Sequence, residues 1–440
     1  MSEQGSRRLL DEPGDMRLRK MSAQGCQDGA GKDDIADGAQ PDDQDAPWGD
    51  ASEEILFTAD SHHVDCDTRR VAFLATSYGD GGVERMLVHT ANGLAALGIV
   101  VDFMPGARSR PFIDDLRQDV RLIQLPDEGY KARLEALATY LSRTTPAIVL
   151  SAKLTDDQLA LAALKASGVP SRAVFRVGNP LLARNRLRSA WFWPRWRREV
   201  AIKHLYRHAH GIIAVAPALA RELRCALDGT VPIVTLPNPT IGPSLANWQS
   251  GTPPHAWLAP GQVPVIMGIG GLRQQKDFAT LLHAFALLRR DRAARLMILG
   301  EGRQRHRLEA LAQRLGIADD VLLPGFASPL YDWLGHAALF VLSSRWEGSP
   351  NALIEALALG RPVVATNCPG GAADILQHGR LAPLVPVGDA AAMAQAMAKI
   401  LRQPGEAARR KQAVALFNVR RSAAAYAKAL GLGTRATTHA

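Results

Sequence analysis

Short apolar segments alternate with stretches of helical periodicity along most of the chain. The first is VAFLAT (71–76), and it is followed by the glycine loop SYGDGGVER, the helical pattern MLVHTANGLAALG and the apolar segment IVVDFM (99–104). A strand, a glycine loop, a helix and a strand within about thirty-five residues predict a βαβ unit and therefore a parallel sheet. Further strands are predicted at 120–124, 147–151, 173–177, 212–216 and 232–236.

A second series of the same kind begins at VPVIMGIG (263–270). Its other predicted strands lie at 295–300, 321–325, 337–344 and 362–366, and its predicted helices at 277–290, 303–315 and 350–359. Residues 241–262, between the two series, are rich in Pro, Gly and Ser, as linkers are. We therefore predict two doubly wound parallel-sheet domains. Their bounds are 69–245 and 263–415, with a linker at 246–262 and a C-terminal helix and tail at 416–440. Such sheets bind ligands at the carboxyl ends of their strands, so the functional site is expected in the cleft between the domains.

The composition is that of an ordinary globular protein. Of its 440 residues, 47% are hydrophobic and 22% are charged, which excludes collagen-like and wholly disordered chains. No apolar run approaches the ~18 residues of a membrane-spanning helix, and the first thirty residues lack the apolar core of a secretory signal. The four cysteines are scattered and fit no metal spacing. A reduced, cytoplasmic protein is predicted.

The net charge of +9 conceals an asymmetry between the N-terminal segment and the rest of the chain. Residues 1–68 contain 17 Asp and Glu against 6 Lys and Arg, with few aromatic residues, and are predicted to form a disordered acidic tail. The remaining residues contain 46 Lys and Arg against 26 Asp and Glu. So basic a body is expected to bind something anionic: nucleic acid, a lipid surface or a phosphorylated small molecule.

The segment SSRWEGSPNALIEALALGRPVVAT (343–366) carries the most chemistry. Ser349 is predicted to cap its helix, and Pro350 suits the first helical position. Free backbone amides and the helix dipole would then form an anion site. The amides concerned are those of Asn351, Ala352 and Leu353.

Two carboxylates flank this anion site, Glu347 before the helix and Glu355 inside it. A nucleotide sugar has a matching layout, because its diphosphate lies between the hydroxyls of the ribose and those of the sugar. Two isolated glutamates at such positions are more often a turn cap and a solvated helix acid. The neighbouring residues therefore decide between the two interpretations.

The segment resembles the sugar-nucleotide-binding signature of family 4 glycosyltransferases. Glu347 and Glu355 match its Glu-x7-Glu spacing, and EG-x-PN-x-LIEA-x-A-x-G-x-PVVAT around them matches as well; the resemblance extends over most of 70–420. It implies the GT-B fold, two Rossmann-like domains facing across a cleft, and sugar transfer from a nucleotide-diphosphate donor with retention of configuration. Glu347 would then orient hydroxyls of the donor sugar, and Glu355 the ribose or diphosphate end.

The loop GIGGLRQQKDF (268–278) resembles the family's loop in which an arginine and a lysine bind the diphosphate. Lys276 falls on the family's lysine, so the resemblance assigns Lys276 and Glu347 to catalysis. Gly271 stands at the usual arginine position, and Arg273 lies two residues later. Whether Arg273 supplies the missing charge stays open at this point.

Three further segments of the chain resemble donor-site loops of the family. LGEGRQRHRLE (299–309) and PGFASPL (324–330) correspond to loops near the nucleobase, and GDGGVER (79–85) to a loop near the diphosphate, where glycine allows close backbone approach. The donor-binding residues implied are Gly300, Gly302, Phe326, Gly81 and Gly82.

Other positions depart from the family pattern or are expected to serve structure. Asp374 stands where the family has a glutamate and is expected to support the fold. A histidine that many relatives carry after the fourth strand is missing from SAKLTDD (151–157). Lys153 of this segment and Asn179 of RVGNP are candidates for the same space, and neither is assigned a chemical role. No Asp-x-Asp metal motif occurs in the core, so we expect no cofactor and metal-independent catalysis in which cationic side chains do the work of a metal.

Residues 183–210 combine eight Arg or Lys with one acid and a cluster of three tryptophans, Trp191, Trp193 and Trp196. This mixture predicts contact with an anionic membrane surface and peripheral association with the inner face of the cytoplasmic membrane. Single-stranded nucleic acid could use the same residues, although no nucleic-acid partner is predicted. The third interpretation is a basic helix whose aromatic residues join the core.

The sequence therefore predicts a retaining glycosyltransferase of the hexosyltransferase class (EC 2.4). It would move a sugar from a UDP- or GDP-sugar to a glycan or lipid-linked acceptor, in the synthesis of a bacterial cell-surface polysaccharide or lipopolysaccharide. One alternative is a GT-B epimerase or glycoside phosphorylase, against which the Glu-x7-Glu segment argues. The other is a non-enzymatic basic binding protein with a decayed site, as Gly271 and the missing histidine suggest.

Overall fold

The computed structural model describes residues 48, 55–57, 67–76, 81–106, 112–180 and 192–432, and for residues 192–195 the backbone alone. Two parallel sheets dominate the described part of the chain, one of seven strands and one of six. The prediction of two doubly wound α/β sheets is confirmed. Each sheet carries helices against its apolar faces.

The first sheet contains every strand predicted before residue 240. Its strands are β1 (Asp67–Ala75), β2 (Val100–Pro105), β3 (Arg121–Leu122), β4 (Pro146–Ser151), β5 (Arg172–Val177), β6 (Gly211–Ala214) and β7 (Ile233–Thr235). They are ordered β3-β2-β1-β4-β5-β6-β7. In β1, Val71 and Phe73 join one layer of core and Ala72 and Leu74 the other. Because both faces of the sheet are buried, the sequences of these strands are continuous apolar runs.

The second sheet has the same design. Its strands are β8 (Val265–Ile269), β9 (Arg295–Leu299), β10 (Val321–Gly325), β11 (Leu339–Leu342), β12 (Val363–Thr366) and β13 (Leu384–Val385), in the order β10-β9-β8-β11-β12-β13. The two-residue strand β13 was not predicted, since two residues show no period. The strand order reverses between β1 and β4 in one sheet and between β8 and β11 in the other. Ligand sites of open parallel sheets lie at the carboxyl ends of such strand pairs.

Helices connect the strands in both halves. Those of the first half are α1 (Gly82–Ala96), α2 (Tyr130–Thr144), α3 (Leu154–Ser167), α4 (Phe192–Tyr206), α5 (Pro217–Leu227) and α6 (Pro243–Ala246). Those of the second are α7 (Phe278–Arg289), α8 (Arg305–Arg314), α9 (Leu330–Gly335), α10 (Asn351–Ala358), α11 (Ala372–Ile375), α12 (Ala390–Arg402), α13 (Ala407–Ala413) and α14 (Val419–Ala429). Helix α1 ends just before Gly98, whose positive φ of 80° suits the glycine predicted to stop it.

The C-terminal helix α14 returns to the first sheet. It packs on α1 so closely that a Cβ on Gly93 would lie 2.6 Å from Cβ of Ala423. Tyr426 is fully buried in the core layer that Val71 and Phe73 of β1 also join. The sequence assigned 416–440 to a separate helix and tail, whereas this helix completes the first half of the molecule. Residues 433–440 lie outside the described part of the chain.

Part of the predicted acidic tail packs on the folded body, so the prediction of a disordered segment over 1–68 is wrong for these residues. Trp48 is 8% exposed and its ring meets Phe417 edge to face, with centroids 5.0 Å apart. The backbone N–H of Leu56 donates to Ala429 O at 2.8 Å. Strand β1 begins at Asp67. A few apolar anchors are enough for packing, and the average composition of the segment conceals them; its remaining residues are not among those described.

The predicted linker, residues 246–262, packs along the second half of the molecule. Trp248 Nε1 donates to Asp332 at 2.8 Å, and its ring lies against Gly335 in α9. The chain crosses back beside it, since Ile241 N–H donates to Phe417 O at 2.9 Å. The two crossings between the sheets are therefore bonded to each other.

Candidate active site

Glu347 lies at the carboxyl end of the second sheet, where the strand order reverses between β8 and β11. Its Oε1 accepts from Lys276 Nζ and from Ser344 Oγ, each at 2.6 Å. Lys276 follows β8 and Ser344 follows β11, so the two central strands bring the cation and the carboxylate together. The Glu347 side chain is 7% exposed. The two residues that the sequence assigned to catalysis are in direct contact.

Cys368 lies beside this pair and is 3% exposed. Burial raises the pKa of its thiol to about 12, and the Glu347 carboxylate acts in the same direction. The thiol is therefore protonated at neutral pH and is no nucleophile.

Two consecutive glycines make room for the cations of the loop after β8. A Cβ on Gly270, where φ is +147°, would lie 2.6 Å from Cε of Lys276. A Cβ on Gly271 would lie 3.3 Å from Nε of Arg273. Both cationic side chains thus fold back over glycine backbone, and that of Arg273 occupies the space beside the position where the family has its arginine.

The start of α10 differs from the prediction at three residues, Ser349, Pro350 and Leu353. The N-cap position is held by Pro350, and Ser349, one residue outside it, makes no capping bond. The Ser349 hydroxyl is buried and has no hydrogen-bond partner among the described residues. The N–H of Leu353 donates to Pro350 O at 3.0 Å. This bond between residues three apart makes the first turn of α10 tighter than an ordinary α-helical turn and uses the amide of Leu353. The predicted anion site therefore retains Asn351 and Ala352 but not the amide of Leu353.

The first-domain glycine loop meets this helix start. Asn351 Nδ2 donates to Gly82 O at 3.3 Å, and a Cβ on Gly82 would lie 3.0 Å from that nitrogen. Gly81 precedes α1 as its N-cap residue. The backbone of Gly82 thus contacts the side chain of Asn351, and this contact places the N-termini of α1 and α10 side by side.

Asn351 is held in place by side chains of the first domain. Its Oδ1 accepts from Asn238 Nδ2 at 2.9 Å and from Thr240 Oγ1 at 3.1 Å. Arg176, which is 2% exposed, donates through Nη2 to Asn238 and through Nε to Tyr426 at 3.2 Å. The segment LPNPT (236–240) therefore supports the helix start.

Glu355, the second glutamate of the motif, forms an ion pair with Arg85 of α1. The Glu355 side chain is 1% exposed and that of Arg85 19%. Arg85 was not among the site residues predicted from the sequence. It could have been found from its position three residues after Gly82, because residues three apart lie on one face of a helix, and this face of α1 contacts α10.

The residues expected at the nucleobase end cluster at the carboxyl ends of β9 and β10. A Cβ on Gly300 would lie 2.2 Å from Gly270 O, and a Cβ on Gly302 would lie 2.5 Å from Leu272 O. These glycines let the loop after β9 touch the loop that carries Lys276. Phe326 follows β10 and is 71% exposed, an uncommon position for a large aromatic side chain.

Lys153 lies where the family's histidine is missing and pairs with Glu84 of α1. Asn179 directly follows Gly178, whose backbone contacts that of Gly348 in the other half of the molecule. A Cβ on Gly348 would lie 1.8 Å from Gly178 O. Glycine is therefore required directly after Glu347, because the backbones of the two halves touch there.

Asp374 joins the two halves on the other side of the motif. Its Oδ2 accepts the N–H of Ala218 at 3.0 Å, in the first turn of α5, whose own N-cap residue Ala216 offers no side-chain acceptor. Arg221 Nη2 lies 3.4 Å from Oδ1. The structural role expected of Asp374 is thus an N-cap supplied from another domain.

The basic and aromatic segment is described only in part. Residues 183–191, with Trp191, lie outside the described residues, as does the side chain of Trp193. On α4, Trp196 and Val200 are 49% and 46% exposed and lie one turn apart. The interpretation in which the aromatic residues join the core does not hold for Trp196. In the ranges that the structure describes, no helix is long and apolar enough to cross a membrane.

Comparison with known sequences supports the family resemblance. Residues 263–403 match the family model of glycosyl transferases group 1, and residues 81–239 match that of a glycosyl transferase 4-like domain. The chain is 35% identical over 136 residues to an N-acetylgalactosaminyltransferase of Campylobacter jejuni that acts on a diphospho-undecaprenol-linked sugar, covering 31% of this chain and 37% of the relative. It is 23% identical over 337 residues to the lipopolysaccharide core biosynthesis glycosyltransferase LpsD of Rhizobium meliloti, covering 74% and 86%. The chain spans only part of the length of several curated relatives that it matches: 28%, 37% and 41% for three of them.

Solved structures share the fold. The structure of HepE from Anabaena in complex with UDP and glucose superposes with a TM-score of 0.66 at 17% identity, covering 82% of this chain and 99% of that one. The lipopolysaccharide outer core galactosyltransferase WaaB gives a TM-score of 0.63 at 17% identity, covering 82% and 99%. At this identity the likeness establishes the architecture alone. The two facing Rossmann-like sheets are the GT-B fold, and with family models matching on both sides of the cleft, the chain belongs to the glycosyl transferases group 1 family.

Proposed function

We propose that this protein is a retaining glycosyltransferase that moves a sugar from a nucleotide-diphosphate sugar, UDP- or GDP-linked, to a glycan or lipid-linked acceptor. The observation that carries the proposal is the contact of Lys276 with Glu347 at the carboxyl edge of the second sheet. A cation and a carboxylate in contact suit a donor in which a sugar, rich in hydroxyls, is joined to a diphosphate.

The chemistry follows from the charges. When the bond between the sugar and the diphosphate breaks, negative charge grows on the departing phosphate. Lys276 and the amides of Asn351 and Ala352 at the start of α10 are placed to neutralise it, which lowers the barrier without a proton transfer. Ser344 and Lys276 share one oxygen of Glu347, so its rotamer is set before the donor's sugar hydroxyls bind to it.

Arg273 would provide the second cation for the diphosphate. The absence of a side chain at Gly271 leaves the space that the stem of Arg273 fills, so the charge can reach the same region from a position two residues later. The test is a swap. Arg273→Gly is expected to weaken donor binding, and the double variant Gly271→Arg/Arg273→Gly to restore it. A double variant as weak as the single one would show that Arg273 does not replace the family's arginine.

The acceptor is proposed to be a lipid-linked glycan of a bacterial cell-surface polysaccharide or lipopolysaccharide, bound at the cytoplasmic face of the membrane. The names of the relatives support this, since one acts on a diphospho-undecaprenol-linked sugar and two belong to lipopolysaccharide core biosynthesis. The exposed Trp196 and Val200 on the basic helix α4 suit the surface of an anionic membrane. Pelleting with anionic but not neutral liposomes at low salt is expected, and Trp196→Ala is expected to weaken it. No pelleting with either liposome would refute the membrane contact.

The catalysis is proposed to need no metal, with Lys276 and Arg273 as the cationic partners of the diphosphate. Nucleotide release should then persist in a chelator. Activity that a chelator abolishes and manganese restores would contradict this part of the proposal.

The deciding experiment measures nucleotide release from UDP-, GDP- and ADP-sugars with chelator present and with a lipid-linked acceptor mixture supplied. Glu347→Ala is the control. Release from one donor that is lost in the variant identifies the nucleotide and the sugar together. If wild-type protein neither releases nor binds any of the nucleotides, the chain is not a working transferase.

A further inference from the structure

The ion pair between Arg85 and Glu355 joins two domains. Arg85 belongs to α1, against the first sheet, and Glu355 to α10, against the second, and the two residues are 270 positions apart in the chain. The helices lie alongside each other, because Gly82 contacts Asn351 at their N-termini and Arg85 contacts Glu355 one turn further on. Glu355, one glutamate of the Glu-x7-Glu motif in the second domain, is therefore held by a residue of the first domain.

Arg85 takes one oxygen of the carboxylate and leaves the other. Its Nη2 donates to Oε1 of Glu355, and across the described ranges no hydrogen bond reaches Oε2. Within the described part of the chain, the buried Nε of Arg85 has no hydrogen-bond partner. Burial lowers the pKa of Arg85, but Glu355, Tyr331 and Asp115 together outweigh burial, so the pKa is raised overall. The guanidinium is thus charged and incompletely bonded, as expected of a site whose other hydrogen-bonding groups come from a ligand.

A buried carboxylate is stabilised by a neighbouring cation. The other groups that interact with Arg85 are Tyr331, Asp115 and His89. A tyrosine or aspartate side chain is never cationic, and burial lowers the pKa of His89, which favours its neutral form. Among these neighbours, the cation that pairs with the Glu355 carboxylate is Arg85.

We infer that Arg85 is a positioning residue for the donor: it fixes the Glu355 side chain as an acceptor for the ribose hydroxyls of the nucleotide, and it does so only while α1 lies against α10. The inference rests on the proposed function, in which Glu355 receives the nucleotide end of the donor. It adds that donor affinity depends on a residue of the opposite domain. A domain movement that separated α1 from α10 would break the ion pair and weaken nucleotide binding.

The test separates the ribose from the diphosphate. Binding of UDP and GDP, and of their 2′,3′-dideoxy analogues, is measured by calorimetry for wild type, Arg85→Met, Arg85→Lys, Glu355→Gln and the Arg85→Met/Glu355→Gln double variant. Arg289→Met is the matched control, since it breaks another ion pair, with Asp320 at 2.6 Å, in a part of the second domain away from the cleft. Melting temperatures are recorded for every variant.

Arg85→Met is expected to weaken binding of the ribonucleotide about 10- to 100-fold, the effect of losing a hydrogen bond to a charged group. The dideoxy analogue, which lacks the hydroxyls, should bind to Arg85→Met as it binds to wild type. Arg85→Lys should recover part of the ribonucleotide affinity, and Arg85→Met should have no further effect when Glu355 is already Gln. Arg289→Met should match wild type.

Three results would overturn the inference. Equal losses for both nucleotides would mean that Arg85 contacts the phosphates, unchanged affinity would mean that the ion pair does not position Glu355, and a loss that persists in the Glu355→Gln background would make Arg85 independent of Glu355. If wild type binds neither nucleotide, the proposed function fails together with the inference, a different outcome from a failure seen only in the variants. Should Arg85→Met not fold, the comparison of Arg85→Lys with wild type on the two nucleotides gives the same decision.

Discussion

The two ends of the Glu-x7-Glu motif have similar contacts but different origins. Glu347 and Glu355 are each nearly buried, and each is paired with one cation. The cation at Glu347 is Lys276, from the same domain and 71 positions away, whereas the cation at Glu355 is Arg85, from the opposite domain.

This difference assigns the two ends to different tasks. The pair of Lys276 and Glu347 is held by loops of one sheet, so it persists whatever the position of the first domain. The pair of Arg85 and Glu355 exists only where α1 touches α10. The first end is therefore suited to chemistry at the sugar, and the second to linking nucleotide binding to the position of the domains.

The largest effect is expected at the first end. Glu347→Ala should lower kcat about 10²- to 10³-fold, because it removes the group proposed to orient the sugar and the partner that holds Lys276. Donor affinity should change little, since the nucleotide end is untouched. Steady-state kinetics and nucleotide binding measure the two quantities separately, and a variant with an altered KM and an unaltered kcat would contradict the assignment.

The loop under Lys276 provides a test without touching a polar group. Gly270→Ala places a Cβ 2.6 Å from Cε of Lys276 at a φ of +147°, so it should displace the cation and lower kcat about 10- to 100-fold in addition to ~1–3 kcal/mol of strain. Gly316→Ala is the matched control, because Gly316 also has positive φ, at +66°, yet nothing lies within 4 Å of its Cβ position. The control should lower the melting temperature and leave kcat unchanged. Equal kcat values for the two variants would show that the position of Lys276 does not matter.

The second end should affect binding more than turnover. Glu355→Gln keeps the shape of the side chain and removes its charge, and it should raise the Kd of the donor nucleotide about tenfold while kcat at saturating donor stays within a few-fold of wild type. Kinetics at several donor concentrations decide this. Parallel losses in kcat and in affinity for Glu347→Ala and Glu355→Gln would remove the distinction between the two ends.

The smallest effect is expected at Cys368, which lies beside the first end without taking part in the reaction. Its pKa is raised to about 12 from an ordinary value of 9.0, so the thiol is neutral during catalysis and Cys368→Ala should retain wild-type kcat up to pH 10. Because the thiol pKa is higher in the folded than in the unfolded protein, the buried thiol adds to the free energy of unfolding below pH about 9. This contribution is lost as the pH rises towards 12. Denaturant unfolding at pH 7.5 and pH 10 should therefore show a smaller loss of stability for the variant. A variant with a shifted pH profile of kcat would mean that the thiol ionises in the active site.

Much of the fold follows from local patterns. The strands of the first sheet were all predicted, because buried parallel strands are continuous apolar runs bounded by turns. The errors fall where local patterns are short or averaged. Strand β13 has two residues, Trp48 and Leu56 are isolated anchors in an acidic segment, and Ser349 lies one residue outside the cap position that a spacing rule assigns to it.

The motif residues Glu347, Glu355 and Lys276 were identified because the short segments around them resemble motifs of a known family, and such motifs consist of neighbouring residues of the chain. The cation that pairs with each carboxylate could not be predicted in this way. Lys276 reaches Glu347 because β8 and β11 are neighbours, and Arg85 reaches Glu355 because two domains bring α1 against α10. Contacts between residues 71 and 270 positions apart depend on how the sheets are ordered and how the domains pack, and no period or spacing along the chain specifies either.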